Sequence, residues 1–281
     1  VEIYWVGEAV RDELLRLAVE KRDWVIVGAS AEEVRAEGYL PDPEDPFAFG
    51  HPQRGERYTL ARKEQSIEGN QVRVSVGAQV TLREELARRD LTINAMARDS
   101  QGRLFDPHDG EEDLRNGTLR HVSPHFARHP EYILLVAQHA ALFVNWGFHV
   151  AHGTHVLMKR MVQEGAMRAL RPSDVWTAFS QTSEGPTPSE FFRVLHRCGA
   201  LEVLSPPLHA CYREQVSHQR GAAPAAALTA LDASAKAGKG IETRLQPCIR
   251  RLAAMLIACL RRWGYPVCPE LASPTKVSSL G

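Results

Sequence analysis

The chain has 281 residues, long for one domain and enough to bury a sizeable core. Its 34 Lys plus Arg balance its 34 Asp plus Glu, so no global field draws in a polyanion, and any nucleic-acid contact has to come from a local patch. No apolar run reaches the roughly 18 residues of a membrane span, Val1 to Val10 lacks the basic start and long apolar core of a signal peptide, and five cysteines without a Cys-x-x-Cys pair argue against a disulfide framework or zinc knuckle. The expectation is a soluble, cytoplasmic chain with no membrane and no DNA partner.

In chain order, Val10, Leu14, Leu15 and Leu17 fall near helical spacing over residues 9–18, and Trp24 to Val27 is a short apolar strand ending at Gly28-Ala29-Ser30. Residues 31–37 predict a helix, Tyr58 to Ala61 and Val72 to Val74 predict strands, and Leu82 to Arg89 predicts a helix. From Pro130 the pattern becomes helical throughout: 130–146, 153–168, 172–182 with Pro172 at a helix start, and 188–203 with Gly199 near its end. Residues 220–240 are Ala-rich and read as a weak helix or linker, and 245–263 as an amphipathic helix. The fold class is therefore α+β: a mixed-sheet head over 1–125, an all-helical neck and body over 126–212, and a linker with a helical tail over 213–281.

The chemistry-bearing stretches come in a fixed order. They are Val6-Gly7-Glu8-Ala9-Val10-Arg11-Asp12, Arg22-Asp23-Trp24-Val25-Ile26-Val27-Gly28, Leu60-Ala61-Arg62-Lys63-Glu64, Arg88-Arg89-Asp90-Leu91-Thr92-Ile93-Asn94-Ala95 and Phe105-Asp106-Pro107-His108-Asp109-Gly110. In order and spacing they resemble the bacterial CCA-adding tRNA nucleotidyltransferases, of the class shared with bacterial poly(A) polymerases, from about Ile3 to about Pro207. The resemblance implies a nucleotidyltransferase head of the DNA polymerase β type. It also implies Mg²⁺ with ATP and CTP as cofactors if the chain is active, and tRNA or another structured RNA as partner. Nucleotide-binding positions carried over by it are Gly7, Arg11, Asp12, Arg62, Arg88, Arg89, Asp90 and Asn94, with Thr92 in the same box. For Arg88, Arg89 and Asp90, a salt-bridged structural role stays open beside the functional one.

Several positions depart from that pattern. Nucleotidyl transfer needs converging carboxylates to hold divalent cations, and the family's acid-x-acid pair falls on Lys21 and Asp23, which a strand would place on one face. Asp23 is the surviving carboxylate and the one weak metal-ligand candidate; a turn-capping role for it is the alternative. A Lys charge about 4 Å from a divalent ion costs about 8 kcal/mol before rearrangement at an effective dielectric of about 20. The family's Gly-Gly turn is Gly7-Glu8, its basic flexible loop is Gln65 to Gln71, and its base-selecting Glu-Asp-x-x-Arg falls on Arg128, His129 and Tyr132. His129 and Tyr132 cannot reproduce a carboxylate and a guanidinium fork. Asp174 stands where the family has Arg, while Trp176 is kept and predicted in the core.

The apolar positions Ile133, Leu134, Val136, Ala137, Ala140, Ala141, Phe148, Phe191, Phe192, Leu195 and Leu201 are all kept. Residues 241–281 carry Arg244, Arg250, Arg251, Arg261, Arg262 and Lys276 against Glu242 and Glu270; Arg250, Arg251, Arg261 and Arg262 are the RNA-binding candidates, a solvated basic face being the alternative. The histidines, including His121, His125, His129, His139, His149, His152 and His155, show no ligand spacing. The only His-Asp pair, His108-Asp109, lies in the head, so the phosphohydrolase domain that follows in some relatives is not expected. The leading expectation is an inactive or strongly impaired CCA-adding homologue acting as an RNA-binding or assembly component, with no cofactor as the alternative to Mg²⁺ and ATP/CTP. Its alternatives are an active CCA-adding enzyme and a purely structural subunit of a protein complex.

Overall fold

The computed structural model describes residues 1–66 and 72–206, together with 209, 232 and 233. They fall into two compact units, Val1–Arg128 and a second starting at His129. The first contains β1 (Glu2–Val6), α1 (Glu8–Leu14), β2 (Asp23–Val27), α2 (Ala31–Ala36), β3 (Leu40–Pro41), β4 (Ala48–Gly50), β5 (Arg57–Leu60), β6 (Arg62–Ser66), β7 (Val72–Val76), α3 (Leu82–Leu86), β8 (Ala97–Arg98), β9 (Leu104–Phe105) and α4 (Gly110–Arg115). Seven strands form one mixed sheet in the order β3-β4-β5-β2-β1-β8-β9, with β2 and β5 parallel, and β6 and β7 pair separately as a hairpin.

Strand β2 is apolar from Trp24 to Val27 because both its faces are covered there. Val25 and Val27 enter one cluster with Tyr4, Val6, Leu86 and Ala97, while Ile26 enters the other with Val34, Phe49 and Leu60, as alternation along a strand requires. The strand begins at Asp23, so Lys21 and Asp23 do not lie two apart on one strand as the sequence suggested. The cause is β1: its last residue, Val6, pairs with Asp23, and Gly7 then turns into α1, leaving Lys21 no neighbouring strand. Helix α1 is also shorter than expected. It ends at Leu14, Arg16 adopts a φ of 59°, and Leu17 lies outside it with 38% exposure.

Gly110 joins two of the sequence boxes. A Cβ there would meet the Thr92 carbonyl and the Met96 side chain, the oxygen at a distance no real Cβ adopts. Only glycine lets α4 approach the Thr92 turn this closely, and Asp106 caps the helix by accepting from the Gly110 and Glu111 N–H groups at 2.7 and 2.9 Å.

The second unit contains α5 (Glu131–Phe143), α6 (His152–Gln163), α7 (Pro172–Glu184), α8 (Pro188–Cys198) and α9 (Ala200–Leu204), and α8 packs on α5, α6, α7 and α9. All eleven retained apolar positions, from Ile133 to Leu201, are buried. Trp176 is not: it is 38% exposed, its ring tilted against that of Phe179 with centres 5.7 Å apart. The helix expected over 188–203 is two, because Gly199 takes a φ of 85° and ends α8. The Thr187 side chain does not cap α8. Instead, Asp232 accepts from the Ser189 N–H at 2.9 Å and from its hydroxyl at 2.7 Å.

Gly110→Ala is expected to destabilise the first unit by about 3 kcal/mol through overpacking against backbone, and Asp232→Ala to cost the second unit about 1 kcal/mol as a lost cap. Urea unfolding monitored by circular dichroism reads both; a Gly110→Ala protein as stable as the parent would refute the close approach.

Candidate active site

The register Val6↔Asp23 brings the exposed Asp23 carboxylate to the end of β1, beside the turn that starts α1. Gly7 caps that helix with φ 79° and ψ −138° and donates its N–H to the Met96 carbonyl at 3.1 Å. A Cβ on Gly7 would lie 3.4 Å from Arg89 Nη1, so the Arg89 guanidinium faces this turn. Lys21 is exposed, and Arg22 lies over the Trp5 ring at 4.7 Å.

Arg11, one helical turn into α1, is 3% exposed. It donates to Asn94 Oδ1 at 2.9 Å and to Asp12 at 2.8 Å, and reaches Glu8 at 3.5 Å. Asn94 donates in turn to Asp90, whose carboxylate also accepts from the Leu91 N–H at 2.7 Å. The α1 box and the Asp90 box are thus one buried hydrogen-bonded chain, and the side chains of Arg11, Asp90 and Asn94 are spent inside the fold.

A second network centres on Glu85, 2% exposed in α3. Its carboxylate accepts from the Arg62 N–H at 2.9 Å, Arg88 Nη1 at 3.1 Å and Arg89 Nη2 at 3.3 Å. Arg88 also reaches Glu64 at 3.2 Å, and His125 lies 3.6 Å from the same Glu64. Arg62 has its guanidinium 5.5 Å from the Phe47 ring centre and 3.6 Å from Asp45; burial, then the charge of Arg88, weigh against its protonated form. Glu85 was missed from sequence, although its spacing of three and four residues before Arg88 and Arg89 on a helix was a usable signal. So was Asp113, which holds the Thr92 hydroxyl at 2.7 Å and Arg120 at 2.9 Å.

With this geometry in place, the comparisons are specific. The Poly A polymerase head domain matches residues 3–120. A Multifunctional CCA protein from Pseudomonas aeruginosa is 47% identical over 214 residues, covering 75% of this chain and 52% of that protein. A solved CCA-adding enzyme in an apo form superposes with a TM-score of 0.62 at 23% identity over 73% of this chain and 50% of its own, which bears on the fold alone. A tRNA nucleotidyltransferase solved with a primer tRNA and an incoming ATP analogue gives 0.55 at 26% identity over 72% and 58%. The chain belongs to the CCA-adding tRNA nucleotidyltransferase and poly(A) polymerase family. It spans about half the length of the curated relative, 52%.

In this member of the family, the positions expected to select the base carry other chemistry. Arg128 is exposed at the end of the first unit. In the second, His129 stacks on Tyr132 with ring centres 4.8 Å apart and its Nδ1 lies 2.8 Å from Glu131. Asp174 receives both arms of Arg171 at 3.0 Å, and this contact holds its carboxyl below the usual range. Arg250, Arg251, Arg261 and Arg262 lie outside the described residues, and no helix among those described is long and apolar enough to cross a membrane.

Glu85→Gln is expected to cost on the order of 3 kcal/mol, because it strips a buried carboxylate from two guanidinium groups. A loss below about 1 kcal/mol in urea unfolding, the range of a surface pair, would show that the network is not the anchor.

Proposed function

We propose that this chain is a CCA-enzyme relative whose head has lost most or all nucleotidyl transfer and which acts as an RNA-binding or assembly component. The reading rests on the carboxylate pair. Asp23 is one carboxylate, exposed at the first position of β2, and Lys21 brings a cation where a second ligand is required. Glu8 adds a carboxylate at the turn, but it lies 3.5 Å from Arg11. This donor set does not fit a two-carboxylate centre for Mg²⁺, and no transfer step is assigned through one. Loss of a guanidinium fork at Tyr132 and the carboxylate at Asp174 act in the same direction, removing base selection and a phosphate contact.

The second reading, an active enzyme adding CMP and AMP from CTP and ATP to tRNA with Mg²⁺, is favoured by 47% identity to a CCA protein and by the intact Arg11–Asn94–Asp90 chain. A third, a structural subunit of a protein complex, is favoured by the zero net charge. The cell compartment this reading entails is the cytoplasm, where tRNA ends are processed.

Purified protein is expected not to extend a tRNA ending at the discriminator base with labelled CTP or ATP, in Mg²⁺ or Mn²⁺. Lys21→Asp alone should not restore extension, since Glu8, His129, Tyr132 and Asp174 remain. Template-selective incorporation by the parent at the rate of an ordinary relative would sink the reading, and full rescue by the single change would confine the defect to Lys21. RNA binding is tested apart from catalysis. With about three to five phosphates neutralised, log K against log salt should fall with a slope of roughly −3 to −4.5. Replacing Arg250, Arg251, Arg261 and Arg262 should flatten it. No RNA binding by either protein would favour the structural subunit.

A further inference from the structure

The second unit holds a solvent-open cavity of about 690 Å³, within the range of about 300–1,000 Å³ usual for small-ligand sites. Its apolar wall is formed by Val144, Phe148 and Val194. Around it stand His149, His152, His155 and Arg197, the histidines three residues apart along the entry to α6. The single carboxylate in the lining, Glu190, is 8% exposed and bound to Arg193 at 2.7 Å, so its charge is already met. Helix α6 starts at this wall with Ala151 as its cap residue and no side chain accepting from its first N–H groups, which adds positive potential to the same rim. Lys159 stands one turn further along α6. Burial first, and then Lys159, Arg197 and His152, press His155 towards its neutral form.

We propose that this cavity binds a phosphate ester, with the phosphate on His152, His155 and Arg197 and an apolar or aromatic body on Val144, Phe148 and Val194. The chemistry selects for both parts. A rim of imidazole and guanidinium donors favours an anion, and charge-assisted bonds from guanidinium and imidazolium to phosphate are among the stronger ones available. A bare anion would leave the apolar wall wet. The ester is either a free nucleotide or a nucleotide of an RNA strand. The site lies at the far end of α5 from His129 and Tyr132 and does not depend on whether the head transfers nucleotides.

Binding is coupled to a proton. An anion beside His155 stabilises its charged form against the burial and the neighbouring cations that hold it neutral, so its pKa rises on binding, and affinity increases as pH falls, by up to about tenfold per pH unit for one proton. The test is calorimetric titration of the full chain at pH 6 and pH 8 with AMP, a short single-stranded RNA and inorganic phosphate. The proteins are the parent, a His155→Gln/Arg197→Gln double variant, and Arg160→Gln, an exposed pair on the same helix, as control. AMP or the RNA should bind more tightly at pH 6, with the double variant weakened at least about tenfold, the worth of one charged hydrogen bond, and the control unchanged. NMR of the histidine rings should show the His155 midpoint rising in the complex. Tighter RNA than AMP binding assigns the strand as source, and AMP equal or tighter assigns the free nucleotide. The proposal is overturned by no saturable binding at pH 6, by binding that survives the double variant, or by inorganic phosphate binding as tightly as AMP.

Discussion

Glu85 is a carboxylate taken almost wholly out of water, at 2% exposure, and much of the head is arranged to meet it. A buried charge left alone costs several kcal/mol even after relaxation. Here three donors converge on it, from the Arg62 backbone and from Arg88 and Arg89. The first belongs to the start of β6 and the others to the turn that follows α3. The hairpin, the helix and the Arg-Arg-Asp box are therefore fixed by one negative centre. The presence of Arg88 and Arg89 in the sequence is then accounted for by the stability of the head, which weighs towards the structural reading that the sequence left open.

Burial separates the motif residues that hold the head together from those that meet water. Arg11, Asp90, Thr92 and Asn94 are each 8% exposed or less, and each holds a partner that would otherwise be left unmet. Losing one member of such a pair costs the desolvation of the other, about 1–3 kcal/mol and more for charges. Glu8, with a side chain 63% exposed, and the exposed Lys21 and Arg128 sit where water solvates them. An intact Asp90 box is consequently weak testimony for activity.

Much of the fold was legible because its signals are local. The apolar run Trp24 to Val27, the turn at Gly28 and the helical spacing from Pro130 onward each specify their element within a few residues. Strand β1 was not called because Glu2 to Val6 is short, and it becomes a strand only through pairing with β2 and β8 on its two sides. The same non-local pairing set the start of β2 at Asp23. Trp176 was misplaced because a retained aromatic reads as core, whereas this one is 38% exposed. At the site, the boxes were readable as a set. Their mutual hydrogen bonds were not: Arg11 and Asn94 are 83 residues apart, a distance no periodicity reports. The same holds for His149, His152 and His155, whose spacing carries no ligand signature until α8 supplies Arg197 across the cavity.

The two arginines of the Asp90 box differ in how they are held. Arg88 is held by two carboxylates, Glu64 and Glu85. Among the described residues, Arg89 pairs with Glu85 only, and its buried Nε has no hydrogen-bond partner. Its guanidinium also faces the Gly7 turn, within 3.4 Å of where a Cβ would sit, so it is the donor best placed to meet an anion there. Glu8 begins α1 at that same turn. It lies 3.5 Å from Arg11, so the turn presents a carboxylate already facing one guanidinium, beside a second guanidinium, Arg89, that faces the Gly7 backbone.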